Sequence, residues 1–281
     1  MKHQTIEHGN RRAAIGIGLR SFMQEMYAEI KTRVDFFEFN IGKKLAGSMV
    51  DWFSNVSNEK PVVLHSIDLS TARDEEFDME YVNFLKTIYQ QTNPCWISEH
   101  LSFKDMRKNG LKGFIPVPRT RKSLEVIERK LLQLHKEFPG TQLLLENVTS
   151  SFVWKQHEMS EAEFLNRVCE QGSCGLLLDI TNVYINSVYH NYDPYEFLRA
   201  IDRRFIKEIH IAGYTDNDGT PYDTHVGDIP ENVLRMLDWV LDNTDCEAIL
   251  IERDDRSTDL DSYIEDIERV QKVVEANYVF K

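Results

Sequence analysis

At 281 residues with 42% hydrophobic content, the chain has the length and composition of one (β/α)8 barrel, which takes about 250 residues. No apolar stretch approaches the roughly 20 residues that cross a bilayer, and the start Met1-Lys2-His3-Gln4 leads into polar residues, so neither a membrane span nor a secretory signal is expected and the cytoplasm is the predicted location. A formal charge of −13 repels phosphate backbones and argues against a nucleic-acid partner.

Eight short apolar runs recur along the chain: Ala14–Leu19, Phe36–Glu38, Val62–His65, Trp96–His100, Gln142–Glu146, Gly175–Asp179, Glu208–His210 and Ala248–Glu252. From the third onward each closes on His, Glu or Asp, the pattern of a barrel whose strands deliver their last side chains to one face. Leu176 to Leu178 and Ile249 to Ile251 are apolar on consecutive positions, as strands covered on both faces require.

Helical segments alternate with these runs. Phe77, Tyr81, Phe84, Leu85 and Ile88 fall at helical spacing before Pro94 breaks the pattern. Arg119–Phe138 is the next helix, with Leu124, Ile127, Leu131 and Leu134 on one face, Ser123 as a cap and Pro139-Gly140 as the stop. Ser160–Cys169 opens with a capping box, and Glu231–Asp242 and Asp261–Asn277 supply the last two outer helices. Long connections at Leu101–Arg119 and Ala212–Pro230 fall on the catalytic face of a barrel. No linker or repeat divides the chain, so residues 1–281 are expected to form a single domain, with 1–12, including His3 and His8, a flexible N-terminal segment. A basic cluster of Lys104, Arg107, Lys108, Lys112, Arg119, Arg121 and Lys122 reads as a solvated loop region or as a docking surface for an acidic partner. Cys95, Cys169, Cys174 and Cys246 form no CxxC pair, and no disulfide is expected.

The donor set carries the chemistry. Four histidines (His65, His100, His210, His225), four carboxylates (Glu146, Asp179, Asp223, Glu252) and the amide of Asn182 stand at strand ends or in the loops that follow them. Any one of them alone is an ordinary hydrogen-bonded residue. Buried charge repeated at the ends of successive strands is costly unless a cation sits among it. One ion rarely takes more than six protein ligands, so nine donors imply two or three ions, with Glu146 and Glu252 as bridging candidates. Mixed imidazole and carboxylate donors suit iron, manganese or zinc. His135, His157 and His190 lie outside the pattern and are expected to be surface or packing residues.

The ordered motifs Gly16–Arg20, Leu64–Ser66, Ser98–Leu101, Leu145–Asn147, Leu177–Val183, His210–Tyr214, Asp223–His225 and Ile251–Asp254 resemble those of the multinuclear non-haem iron-dependent oxidative enzymes, across nearly the whole chain, and lean towards their methanobactin-biosynthesis branch. Thr181-Asn182 stands where many relatives carry two asparagines, and Asn40-Ile41-Gly42 where many carry Glu-Asn-Tyr. The resemblance implies a xylose-isomerase-like TIM barrel holding two or three irons. It implies dioxygen as co-substrate, a Cys-containing precursor peptide as substrate and a leader-recognising partner protein, the two proteins forming a heterodimer. It assigns His65, His100, Glu146, Asp179, Asn182, His210, Asp223, His225 and Glu252 to the metals, with Glu146, Asp179 and His210 at the catalytic centre. The implied division is His65, His100 and Glu146 on one iron, then Asp179, His210 and Glu252 on a second that shares Glu146, then Asn182, Asp223 and His225 on a third. Competing readings of the donor set are a metal-dependent sugar isomerase or epimerase, an endonuclease-IV-like phosphodiesterase, and a non-catalytic peptide-binding or metal-storage protein.

Overall fold

The computed structural model describes residues 4–9, 11–104, 114–256 and 259–276. Eight parallel strands close into a barrel: β1 Ala14–Leu19, β2 Phe36–Ile41, β3 Val62–Ser66, β4 Trp96–His100, β5 Gln142–Glu146, β6 Gly175–Asp179, β7 Ile206–Ala212 and β8 Ala248–Glu252. Each pairs with its sequence neighbours, and β8 closes on β1 through Ala14 opposite Ala248 and Ile17 opposite Ile251. Three strands run further than their apolar runs. The second continues to Ile41 and the third to Ser66, while the seventh spans Ile206–Ala212, so His65 and His210 stand inside strands and not at their last positions.

The outer helices are α1 Tyr27–Ile30, α2 Gly47–Ser57, α3 Met79–Thr92, α4 Arg121–Glu137, α5 Glu161–Gly172, α6 Ile180–His190, α7 Pro194–Ala200, α8 Glu231–Asn243 and α9 Leu260–Ala276. Thr120, not Ser123, caps α4: its hydroxyl accepts the Ser123 amide at 3.1 Å, because the cap must precede the first helical turn it serves. Ser160 caps α5 as its capping-box pattern predicts. Asn277, placed in the last helix by the sequence, lies outside the described residues, as do His3, Arg107, Lys108 and Lys112. Gln4, within the segment expected to be flexible, bonds Ser57 O and the Val62 amide. Lys104 is tied to Asp68 and Arg119 to Glu161, so these two basic residues are already paired. The four cysteines are free thiols, and Cys169, Cys174 and Cys246 are buried. Among the described residues no helix is long and apolar enough to cross a membrane.

Strand side chains alternate between the helix layer and the lumen. The lumen's floor is a separate apolar cluster of Ala14, Phe36, Val63, Trp96, Leu144, Leu177, Ala248 and Leu250. Gly16 makes room for that floor, since a Cβ there would lie 2.4 Å from the Phe36 ring. Two residues further along, β2 to β6 turn Glu38, His65, Ser98, Glu146 and Asp179 inward and β8 turns Glu252, while β7 places Glu208 level with the floor and His210 above it. The site is therefore the upper layer of the barrel interior. The two long connections each contribute a small antiparallel hairpin, Ser102–Lys104 with Phe114–Pro116 and Thr215–Asn217 with Thr220–Tyr222.

Candidate metal centre

His65 Nε2, His100 Nε2 and Glu146 Oε2 lie 3.4 Å from one another in all three pairings. Donors about 2.1 Å from a shared ion stand roughly 3–3.4 Å apart, so this triangle has the dimensions of a ligand set. Its outer parts hold it rigid. His65 Nδ1 meets Ser98 Oγ at 2.8 Å, and the Phe114 ring stacks on His100 with centroids 3.6 Å apart at 14°. Burial drives both imidazoles down to about 3, which keeps them neutral and able to ligate at ordinary pH.

A second group comprises Glu146, Asp179, His210 and Glu252, all buried. Glu146 faces both groups: Oε2 points to His65 and His100, and Oε1 lies 3.8 Å from His210 Nδ1. A carboxylate divided in this way is placed to bridge. Glu252 Oε2 lies 3.4 Å from His210 Nδ1 and 3.6 Å from His225 Nδ1, while its Oε1 is taken by the Arg20 guanidinium at 2.9 Å. It has one oxygen left for the centre, a narrower role than that of Glu146.

The remaining residues sit at the edge. His225 Nε2 contacts Asp223 Oδ1 at 2.8 Å, and its Nδ1 lies 3.3 Å from Asp254. His225 adopts φ +50, a left-handed conformation costly for a residue with a β-carbon and a frequent mark of functional positions. Asn182 donates its amide to Asn147 O and keeps Oδ1 without a protein partner. Asp223 and His225 contact each other directly, and the other His225 nitrogen also faces Glu252 and Asp254.

Burial and neighbouring charge shift the groups of this layer in different directions. Burial, followed by neighbouring carboxylates, pushes Glu146 well above its ordinary range, and burial with Asp223 moves Asp179 up to about 7. For Glu252, burial is outweighed by His225, His210 and Arg20, which hold it well below. Burial would lower His210, but Glu38 and Glu252 raise it well above its ordinary value. Glu146 Oε2, Asp179 Oδ2, Asn182 Oδ1 and both His210 nitrogens are buried without a hydrogen-bond partner. Orphaned acceptors crowded among acids that resist ionising are the signature of a layer short of positive charge, and cations fit it.

Sequence reasoning passed over five contributors. Glu38 and Glu208, fully buried, lie beside His210 in a third convergent set. Their signal was the period of two that pairs Glu38 with Phe36 and Asn40, and Glu208 with His210. Arg20, which closes the Gly16–Arg20 motif but was given no role there, clamps Glu252 and Asp254. Ser98 shares the inward alternation with His100, whereas Phe114 belongs to a hairpin that no local pattern announces. His135, His157 and His190 each bond a backbone group, His135 to Gly172 O, His157 to the Arg119 amide and His190 to Ser150 O, which makes them the packing residues expected.

Comparison with solved structures finds the same barrel in proteins of low sequence identity. Endonuclease IV from Thermus thermophilus superposes with a TM-score of 0.61 at 16% identity, covering 94% of this chain and 99% of that one. A xylose isomerase domain containing protein from Salmonella typhimurium gives 0.61 at 14%, covering 97% and 99%. At these identities the likeness shows the fold alone. Among curated sequences, a UPF0276 protein of Anaeromyxobacter sp. (strain Fw109-5) is 31% identical over 260 residues, 92% of each chain. Another from Shewanella loihica is 32% identical, over 86% of this chain and 88% of the relative. The family described as RiPP precursor modification enzyme MbnB/TglH/ChrH matches residues 14–275, which takes in every barrel strand and the whole donor layer, and the chain belongs to that family of enzymes.

Proposed function

We propose that the protein carries out an iron- and dioxygen-dependent oxidation of cysteine in a ribosomally made precursor peptide, with a partner protein that presents the peptide. The observation that carries this reading is the Glu146 carboxylate, whose two oxygens face separate donor groups within one buried layer. His65, His100 and Glu146 would hold one ion, and Glu146, Asp179, His210 and Glu252 a neighbouring one. Asn182, Asp223 and His225 at the rim are the donors for a further ion. Bound iron would supply the Lewis acidity that lowers a thiol's pKa and the redox capacity that dioxygen chemistry needs.

The chain's own residues do the rest. Neutral His65 and His100 stay free to bind at physiological pH. Ser98 and Phe114 fix their ring planes, so the two nitrogens need no reorganisation. Arg20 anchors one oxygen of Glu252 and one of Asp254, which fixes the β8 edge of the layer against β1. The apolar floor closes the lumen below and keeps water from entering from that end. Asp223 and His225, partly exposed, mark the mouth through which a peptide side chain would reach the layer.

The test is anaerobic reconstitution with iron(II), then exposure to oxygen with the candidate precursor peptide and partner protein, followed by peptide mass. A mass change at cysteine that needs both iron and oxygen is the expected result. An unchanged mass across the available precursors, with a fully iron-loaded enzyme, would overturn the reading.

A further inference from the structure

His210 sits between two carboxylate groups. Its Nδ1 faces the centre, 3.4 Å from Glu252 Oε2 and 3.8 Å from Glu146 Oε1. Its Nε2 points down the lumen to Glu38 Oε2 at 3.2 Å, with Glu208 Oε1 further off at 3.9 Å. His210, Glu38 and Glu208 are all fully buried. A neutral imidazole carries one proton, so a ring that ligates through Nδ1 must be protonated at Nε2, and that N–H needs an acceptor. Glu38 Oε2, itself without a hydrogen-bond partner, is close enough to accept it after a small turn of the ring, and Glu208 Oε1 is not.

Each acid is itself held. Trp96 Nε1 donates to Glu208 Oε2 at 2.8 Å. With its amide turned to suit its neighbours, Asn40 donates to Glu38 Oε1 at 3.1 Å and accepts from Arg20 Nη2 at 3.1 Å. Arg20 in turn binds Glu252, which faces His210 Nδ1. The contacts thus form a closed circuit: His210, Glu38, Asn40, Arg20, Glu252 and back to His210. Both nitrogens of the ring are registered by parts of the same network, on strands β2, β7 and β8 and on Arg20 just after β1.

We infer that Glu38 is a positioning residue for the metal centre, accepting the Nε2 proton of His210 so that Nδ1 is the nitrogen presented to the cation. The inference rests on the reading of His210 as a ligand. Glu208 and Trp96 form the wall against which Glu38 is set. The same three side chains could in principle ligate a cation of their own, but one oxygen of each acid is already spent on a protein donor. The apolar floor directly beneath also offers no further ligand.

Zinc(II) serves as a diamagnetic probe. With histidines labelled with nitrogen-15, the zinc-loaded wild type is expected to show His210 protonated at Nε2 and metal-bound at Nδ1. Zinc affinity is then measured against a competing chelator in a His100→Ala, Asp223→Ala background, which leaves the His210 group as the remaining complete donor set. Glu38→Ala should weaken it roughly 10- to 100-fold, and Glu38→Gln, which keeps a carbonyl acceptor, should restore most of the loss. Metal bound at Nε2, or an affinity unmoved by Glu38→Ala, overturns the inference. So does loss of one whole ion in both Glu38→Gln and Glu208→Gln, which would make the acids ligands. If the wild type takes up no zinc, the metal-centre reading itself fails. The metal-free spectrum then decides alone: a proton on Nε2 bonded to Glu38 supports the inference, and a bare Nε2 overturns it.

Discussion

Gly213 follows β7 directly and lies under the loop that carries Asp223 and His225. A Cβ at this position would meet three backbone atoms, Gly227 O at 2.3 Å, Val226 O at 2.5 Å and Gly227 C at 2.8 Å. None is a flexible side-chain end, so the 226–227 segment must retreat by about 1 Å to regain ordinary contact. His225 is adjacent to that segment and already occupies a left-handed conformation, so it has little freedom to compensate. Gly213→Ala should therefore cost roughly 1–3 kcal/mol of strain, a fall in melting temperature of about 2–5 °C for a chain of this size. The functional effect should be larger: a shift of about 1 Å in His225 relative to Glu252 should lower peptide turnover by roughly 10²-fold. Iron per chain after anaerobic reconstitution, thermal unfolding and turnover by peptide mass would be measured together. Gly47→Ala is the control, because a Cβ there meets nothing within 4 Å and it begins α2. Unchanged turnover and iron content in a folded Gly213→Ala protein would refute the link between this contact and the rim of the centre.

Other parts of the molecule give three further expectations. His100→Ala should lower iron content and Glu146→Gln should lower it further, because Glu146 faces both groups; both should abolish turnover while leaving far-ultraviolet circular dichroism intact, and full occupancy in both would remove these ligand assignments. Arg253 is buried and lies 2.9 Å from both Asp266 and Asp228, so Arg253→Met should leave the buried Asp266 with only Arg269 and the Ile229 amide and destabilise the fold by about 1–3 kcal/mol in urea titrations; an unchanged midpoint would show that the pair contributes nothing. Burial raises Glu161 from 4.5 to about 6 against the opposing pull of Arg119. The native state then holds the extra proton between those values, so stability declines as pH rises from about 4.5 through about 6, by up to about 2 kcal/mol. Glu161→Gln should flatten that part of the urea-midpoint profile, and an unchanged slope would count against it.

The barrel was legible because strands covered on both faces must be apolar throughout, and runs such as Leu176 to Leu178 and Ile249 to Ile251 say so without alignment. The donors at or near the strand ends were legible for a related reason, since carboxylates and imidazoles interrupt apolar runs conspicuously. Depth was not. A run that stops at a polar residue looks like a strand end, yet β2 continues beyond Glu38 to Ile41 and β7 beyond His210 to Ala212. Glu38 and Glu208 therefore lie inside the lumen, where the period of two marks their face but only register with neighbouring strands gives their depth. Arg20 and Phe114 were hidden more thoroughly, because their partners Glu252 and His100 are set by barrel closure and by a hairpin. The helix cap at Thr120 in place of Ser123 reflects a smaller uncertainty of the same kind, since a cap is defined by the first turn and not by the residue type alone.

Closure of the cylinder through β8 against β1 has a consequence for how the protein comes into being. Glu252 arrives on the final strand and meets Arg20 across a separation of 232 residues. During synthesis, His65, His100, Glu146 and Asp179 emerge well before the partner that completes their surroundings. A nascent chain can thus offer loose imidazoles and acids to stray metals but not the finished geometry. The group of Glu146, Asp179, His210 and Glu252 is complete only once the last stave is in place, so its assembly waits on the most non-local pairing of the barrel.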